Sequence, residues 1–152
     1  MFFILFFCSY RTNINTKPIL ENVDIFLNTK LIESIAVVES KLDSTAYSSK
    51  ENAVGILQIR PIMVKDVNRI LSIVGDSKRY TLEDRWSISK SIEMFSIYSC
   101  YYSLDLNNFE NIARRWNGGP VGHRKKSTET YWGEVKEIME SKWIQRVDIM
   151  NI

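Results

Sequence analysis

Glu39 is the residue whose position best suits it to chemistry. It lies three and four residues after Ala36 and Ile35, on or beside the apolar stripe of a predicted helix. It also falls in the last turn of that helix, where the macrodipole disfavours a negative charge. Burial and the dipole both raise the pKa of a carboxyl group, and a carboxyl that stays protonated near neutral pH can serve as a general acid. The alternative is a rim glutamate with a solvated head, or one paired with Lys41 or Arg60.

The sequence contains few residues that could form another kind of catalytic or binding site. Two cysteines and one histidine exclude a disulfide scaffold and a Cys/His zinc site, and only His123 could act as a histidine base. No cluster of His, Cys and carboxylates has metal-ligand spacing, so we expect no metal and no cofactor. Twenty basic against eighteen acidic residues give a net charge of +2, which argues against nucleic acid as a partner.

The elements that must position Glu39 are mostly helices. The 152 residues suffice for one ordinary domain. After the helix in 31–41, apolar spacing and capping residues predict four more helices. The first begins at Pro61 and ends before Gly75, and the second runs from about Trp86 to Leu104. The third runs from Asn107 or Asn108 through Trp116, and the fourth is capped by Ser127 or Thr128. We therefore predict a mainly α fold, with at most a small β-hairpin near residues 43–60.

The N-terminal segment, residues 1–16, is treated apart from the domain predicted in residues 17–152. Its apolar start, MFFILFFC, is shorter than the roughly 20 residues that span a membrane. It is interpreted as a signal sequence without its basic start, as a lipoprotein anchor lipidated at Cys8, or as the product of a misplaced start codon or a hydrophobic N-terminal arm. A membrane partner is expected only if the segment is a signal sequence or a lipid anchor.

Four short segments, in a fixed order, resemble the SLT-type lytic transglycosylases of the lysozyme-like superfamily. Glu39-Ser40 at a helix end is followed by Gly-Ile-Leu-Gln-Ile at 55–59 and then Pro61. The later matching positions are Ala113, Trp116-Asn117, Gly119-Pro120, Thr128, Tyr131 and Val135. The resemblance covers about residues 29–138 and implies an α+β lysozyme-like fold that cleaves peptidoglycan glycan strands. Trp116 stands where the family usually has tyrosine, and Asn52 where it usually has glycine.

The resemblance also implies a role for each matching residue. Glu39 would be the sole catalytic acid, protonating the glycosidic oxygen after N-acetylmuramic acid and then taking the proton of the sugar's C6 hydroxyl to leave a 1,6-anhydro ring. Substrate contacts would come from Ser40, Gln58, Ile59, Trp116, Asn117 and Tyr131, with the Tyr131 hydroxyl reaching towards Glu39. Four of these residues have a structural alternative: a helix-end hydroxyl for Ser40, a helix cap for Asn117, and core packing for Trp116 and Tyr131.

Two other functions remain open from the sequence. A lysozyme-type hydrolase needs a positioned water and a second carboxylate, such as Asp43, Asp84 or Glu93. The segments 53–60 and 113–120 contain no acid, which favours the anhydro product. A non-catalytic glycan-binding domain of a phage or secretion apparatus is the third interpretation. In each case the expected partner is peptidoglycan, in the cell envelope or reached by a phage-encoded protein, and the oligomeric state stays open.

Overall fold

The computed structural model describes residues 29–141, and these form a mainly α-helical fold with one small sheet. Five α-helices lie within this range: α1 (Thr29–Ser40), α2 (Pro61–Ile73), α3 (Ile88–Tyr102), α4 (Phe109–Gly118) and α5 (Glu129–Glu140). Strands β1 (Tyr47–Ser48) and β2 (Ala53–Val54) pair antiparallel, with Tyr47 opposite Val54. Three short 3-10 turns are Glu83–Trp86, Gly122–Arg124 and Lys126–Thr128. The predicted fold class, including a hairpin between 43 and 60, is confirmed.

Several helix boundaries differ from the predicted ones. Helix α1 covers 29–40 rather than 31–41, and α3 ends at Tyr102 rather than near Leu104. Helix α3 begins at Ile88 rather than near Trp86, because Glu83–Trp86 forms its own 3-10 turn. Helix α4 begins after Asn108, whose side chain caps the Asn111 amide at 3.0 Å, but runs two residues past Trp116 to Gly118. Asn117 therefore lies inside the helix and not at its cap. Residues 1–16, with Cys8, lie outside the described part of the chain.

The core is built around α1, which is buried along six consecutive residues, 31–36. Leu31, Ile35 and Ala36 are completely inaccessible, and α1 packs against α5 and α4. Burial of each large apolar side chain contributes about 1.5–3 kcal/mol to folding. The catalytic candidate at the end of α1 is therefore attached to one of the best-packed elements of the fold. Among residues 29–141, no helix combines the length and apolarity needed to cross a membrane.

Candidate active site

Glu39 occupies the last turn of α1 because the helix stops abruptly one residue later. Lys41 and Leu42 both adopt left-handed backbone conformations, with φ of 57° and 68°. Their amides close the helix end by donating to the carbonyls of Val37, at 2.9 Å, and Ala36, at 3.3 Å. A left-handed residue other than glycine costs about 1 kcal/mol, and such local strain persists only where the surroundings enforce it. The turn directs the chain away from Glu39 and leaves its carboxyl at the helix terminus.

Burial dominates the electrostatics of Glu39 and raises the pKa of its carboxyl from 4.5 to about 7. Three neighbours lower the pKa of Glu39: the Tyr131 hydroxyl, which donates to Oε1 at 2.8 Å, the Arg60 cation and, more weakly, the Trp116 indole. The charge of Glu51 acts in the same direction as burial. A pKa near 7 leaves the carboxyl able both to give and to take a proton at neutral pH.

Glu39 opens into a cleft with a volume of about 980 Å³. The cleft is bounded by the hairpin on one side, by α2 and the end of α3 on another, and by the end of α4. Its wall includes Glu39, Ser48, Glu51, Ala53, Gln58, Ile59, Arg60, Ile62, Met63, Lys65, Asp66, Arg69, Tyr98, Tyr102, Trp116, Asn117, Gly119 and Pro120. This volume is at the upper end of the range of small-ligand sites.

The segment Gly55–Ile59 forms the part of the wall beside the hairpin. Val54 and Ile59 exchange backbone hydrogen bonds of 2.9 and 3.2 Å, which folds the intervening residues into a tight loop. Gly55 has φ of +77°, and a Cβ placed on it would lie 2.3 Å from the carbonyl oxygen of Arg85. Only glycine fits this position, since both the backbone angle and the space exclude a side chain.

Arg85 holds this loop in place from the opposite side, and nothing in the sequence indicated it. Its side chain is buried, with 6% exposure, and its guanidinium donates to the carbonyls of Asn52 (2.8 Å), Ile59 (3.1 Å) and Leu82 (2.8 Å). These carbonyls belong to three separate segments. An arginine that satisfies backbone acceptors leaves no periodic or motif signal, so only the tertiary structure identifies it as a positioning residue.

Gln58 and Ile59 both reach the cleft from this loop. Gln58 has φ of 47°, and its Nε2 donates to the carbonyls of Gly55 at 3.0 Å and Ala46 at 3.2 Å. Both bonds use the amide nitrogen, so among the described residues the oxygen Oε1 is left to accept from a ligand. Ile59 is 1% exposed and presents a small apolar surface.

Trp116 and Asn117 supply the opposite wall. Trp116 packs edge-on against Phe95, with 4.9 Å between ring centroids, and against Tyr98, with 6.0 Å. It is therefore a core residue that also borders the cleft. Asn117 is exposed, and its backbone carbonyl accepts a hydrogen bond of 3.4 Å from Arg60.

Ser40 and Tyr131 act on the site without lining the cleft themselves. The Ser40 hydroxyl donates to the carbonyl of Ile56 at 2.8 Å and also lies 3.1 Å from that of Ala36. It thus ties the end of α1 to the 55–59 loop. Tyr131 comes from α5, ninety-two residues after Glu39, and contacts the carboxyl directly.

The three carboxylates that the sequence offered as a second acid, Asp43, Asp84 and Glu93, make hydrogen bonds away from the cleft. Asp43 is exposed and accepts two bonds from Thr45. Asp84 accepts from the Thr81 amide at 2.7 Å and Lys90 at 2.5 Å, and Glu93 from Lys78 at 2.6 Å and Tyr80 at 2.7 Å. All three lie within the described residues, and none of them lines the cleft.

Two other carboxylates do line the cleft, and the sequence analysis missed both. Asp66 is held by Arg69 at 2.7 Å and by the Tyr102 hydroxyl at 2.9 Å. Glu51 is more loosely held, 3.5 Å from Arg60 and 54% exposed. Glu51 lies two residues before the acid-free segment 53–60. Among residues 29–141, no group of three His, Cys, Asp or Glu side chains is arranged to hold a metal ion.

A protein-family model, Transglycosylase SLT domain, matches residues 26–139 of this chain. The chain belongs to the SLT transglycosylase family. The match spans Glu39, the 55–59 loop and Tyr131, so it includes every element that forms the cleft. Membership in this family supports a glycan-cleaving function directed at peptidoglycan. The resemblance drawn from the four segments is confirmed.

Among solved structures, this SLT domain is similar to a chain in the crystal structure of Aeromonas hydrophila PliI in complex with Meretrix lusoria lysozyme. The TM-score is 0.61 at 20% sequence identity, over 77% of this chain and 94% of that chain. At this identity the likeness concerns the fold alone. No curated protein matches the sequence.

Proposed function

We propose that this SLT domain is a lytic transglycosylase that cleaves the β-1,4 bond between N-acetylmuramic acid and N-acetylglucosamine, with Glu39 as its single acid and base. The observation that carries the proposal is the carboxyl of Glu39 itself: largely buried, with a pKa near 7, hydrogen-bonded to Tyr131 and open to the cleft. A proton can leave and return to such a group at neutral pH without a large energetic penalty.

In the proposed reaction Glu39 gives its proton to the glycosidic oxygen while the bond from that oxygen to C1 of N-acetylmuramic acid breaks. The N-acetylglucosamine side leaves as an alcohol. The Glu39 carboxylate, stabilised by the Tyr131 hydroxyl, then removes the proton of the C6 hydroxyl, and O6 bonds to C1. The internal hydroxyl is tethered to the reacting ring, so no water has to be captured. Glu39 ends the cycle protonated.

The remaining predicted substrate residues divide into two groups. Gln58, Ile59, Trp116 and Asn117 border the cleft, and we propose that they contact the glycan, through hydrogen bonds from the amides and packing from the apolar surfaces. Ser40 donates to the backbone of the 55–59 loop, which supports a positioning role instead. The partner is a peptidoglycan strand, in the cell envelope or as the target of a phage protein.

A lysozyme-type hydrolase is the second candidate, and Glu51 is the observation in its favour. This carboxylate lies on the cleft wall, raises the pKa of Glu39 through its charge, and is held only by a 3.5 Å contact with Arg60. A loosely held carboxylate on the cleft wall can orient a water for attack on C1. Glu51 thus replaces Asp43 as the residue that a hydrolytic mechanism would use.

Mass spectrometry of a sacculus digest distinguishes the two reactions. An anhydro product is one water lighter than the hydrolysed product and cannot be reduced by borohydride. We expect anhydro ends from the wild type and from Glu51→Gln, with Glu137→Gln on the exposed face of α5 as the matched control. Reducing ends from the wild type that disappear in Glu51→Gln would establish the hydrolase. A wild type that binds strands without cleaving them would leave a glycan-binding domain.

A further inference from the structure

The segment from α4 to the start of α5 concentrates positive charge outside the cleft. Residues 111–128 contain five Lys or Arg side chains and one histidine but no Asp or Glu. Gly119 and Pro120 of this segment line the cleft, whereas its charged side chains do not. The charge therefore adjoins the cleft without belonging to its wall.

Arg114 fixes the shape of this segment. Its guanidinium donates to the Thr128 hydroxyl and to the Lys125 carbonyl, both at 3.0 Å. A Cβ placed on Gly122 would lie 2.0 Å from the Arg114 carbonyl oxygen, so the chain after α4 passes directly against that helix. The charge of Arg114 is balanced by Glu110 at 2.6 Å. Side chains carried by this segment are thus held in place before any ligand binds.

Arg115, the next residue of α4, has no acidic partner. Within residues 29–141 no carboxylate forms an ion pair with it. Its side chain donates to the Pro120 carbonyl and contacts Nε2 of His123 at 3.3 Å. Burial lowers the pKa of the guanidinium, and the charge of Arg124 acts in the same direction. A partly buried cation without a counter-charge is unfavourable, so an anion bound beside Arg115 would stabilise it.

His123 carries a second unused donor. A guanidinium can only donate, so the 3.3 Å contact requires Nε2 of His123 to accept and places the hydrogen of the neutral ring on Nδ1. Nδ1 of His123 and Nε of Arg115 are both buried, and in the described part of the chain neither has an acceptor. Burial, followed by the charges of Arg115, Arg124 and Arg114, lowers the pKa of His123. Two touching side chains therefore each hold a donor that an anion would satisfy.

We propose that Arg115, His123 and Arg124 form a binding site for a phosphate group, free or esterified, beside the cleft. Arg124 is exposed and makes no ion pair with the other described residues, so it is available to the anion from the solvent side. A tetrahedral phosphate accepts from donors on several sides, whereas a carboxylate presents two oxygens in one plane. The proposal does not depend on the reaction at Glu39.

His123 itself reports on this site, because it is the one histidine of the chain and gives a single imidazole signal in a proton NMR titration. The full chain would be titrated in inorganic phosphate, and in acetate and chloride at equal ionic strength. We expect phosphate to raise the pKa of His123 by about one pH unit, because a bound anion favours the imidazolium form. The shift should saturate with phosphate concentration and should exceed the shift in acetate or chloride, which measures screening.

Three variants test the assignment of the residues. Arg124→Gln and Arg115→Lys should each weaken phosphate binding about threefold or more. Arg79→Gln is the matched control, since it makes the same replacement at an exposed arginine between α2 and α3. Equal shifts in acetate, chloride and phosphate would overturn the proposal. So would a phosphate effect that Arg124→Gln leaves unchanged, and this outcome remains decisive even if Arg115→Lys disturbs the fold.

Two further ligands identify the source of the phosphate group. Retention on phosphatidylglycerol vesicles, but not on phosphatidylcholine vesicles, that Arg124→Gln weakens would indicate a lipid headgroup. Displacement of inorganic phosphate by soluble poly(glycerol phosphate) would indicate an anionic polymer, and binding of inorganic phosphate alone would limit the ligand to the free ion. None of these measurements uses glycan cleavage, so failure of the proposed function would leave their results unchanged.

Discussion

The Tyr131 hydroxyl donates a 2.8 Å hydrogen bond to Oε1 of Glu39, joining the last described helix to the end of the first. The bond stabilises the charged form of a carboxyl that burial would otherwise keep neutral. Tyr131 is itself largely buried, which raises its own pKa well above 10, so it remains a donor throughout the neutral range. The hydroxyl thus offsets part of the rise that burial causes in the pKa of the proposed acid.

Replacement of Glu39 by Gln should abolish clearing of purified sacculi while leaving the fold intact. Glutamine keeps the shape of the side chain but cannot donate and recover a proton, and loss of a general acid costs about 100-fold or more in rate. Turbidity assays measure the loss, and circular dichroism checks the fold. Glu137→Gln, the same change on an exposed face, should clear normally. Near wild-type clearing by Glu39→Gln would remove Glu39 from the mechanism.

The same carboxyl should make folding stability depend on pH. Its pKa in the folded protein, about 7, is above the unfolded value of 4.5, so protonation favours the folded state. The stabilisation is complete below pH 4.5 and is lost as pH rises through 7, amounting to about 3 kcal/mol. Denaturant unfolding of wild type and Glu39→Gln at pH 4.5 and 8 measures it. Relative to the wild type, Glu39→Gln should be more stable at pH 8 than at pH 4.5. A difference in unfolding free energy between the two proteins that does not change with pH would contradict the raised pKa.

Tyr131→Phe should shift the alkaline limb of the activity profile to higher pH. Without the hydroxyl the Glu39 carboxylate loses a donor, its pKa rises further, and the protonated acid persists to more alkaline conditions. The peak rate should fall, since the carboxylate formed in the reaction is less stabilised.

Tyr80→Phe is the matched control for that change. It removes a similar 2.7 Å bond, to Glu93, at a position outside the cleft wall. Both variants should lose about 1 kcal/mol of stability, but only Tyr131→Phe should move the pH profile of sacculus clearing. Identical profiles for the two variants would mean that the Tyr131 hydroxyl does not tune Glu39.

Gly55→Ala should destabilise the protein more than Gly75→Ala. Both glycines have φ close to +78°, so alanine costs about 1 kcal/mol or more at either position through the backbone alone. At Gly55 the added Cβ also meets the Arg85 carbonyl oxygen at 2.3 Å, whereas at Gly75 it meets open space. Thermal unfolding and sacculus clearing of the two variants measure the difference. Equal destabilisation would mean that the 55–59 loop is not packed as described.

The sequence by itself determined the helices, the family and the proposed acid. Apolar spacing fixes α2, α3 and α5 because each must bury one face, and Pro61 and Asn108 mark helix starts by local chemistry. Glu39 was identifiable because a carboxyl on an apolar stripe at a helix end conflicts with its neighbours. These signals depend only on residues close together in the chain, so they can be recognised without knowing which helices pack against each other.

Only the tertiary structure decided most of what surrounds Glu39. The resemblance to the family had suggested Tyr131, ninety-two residues away, as its neighbour. Nothing along the chain indicated that the loop holding Gln58 depends on the buried Arg85, or that the second carboxylate Glu51 reaches the cleft from the hairpin. None of these contacts has a periodicity or a fixed spacing along the chain. They form because packing α1 against α5, and the hairpin against the 83–86 turn, brings distant polar groups together where burial makes each partner necessary.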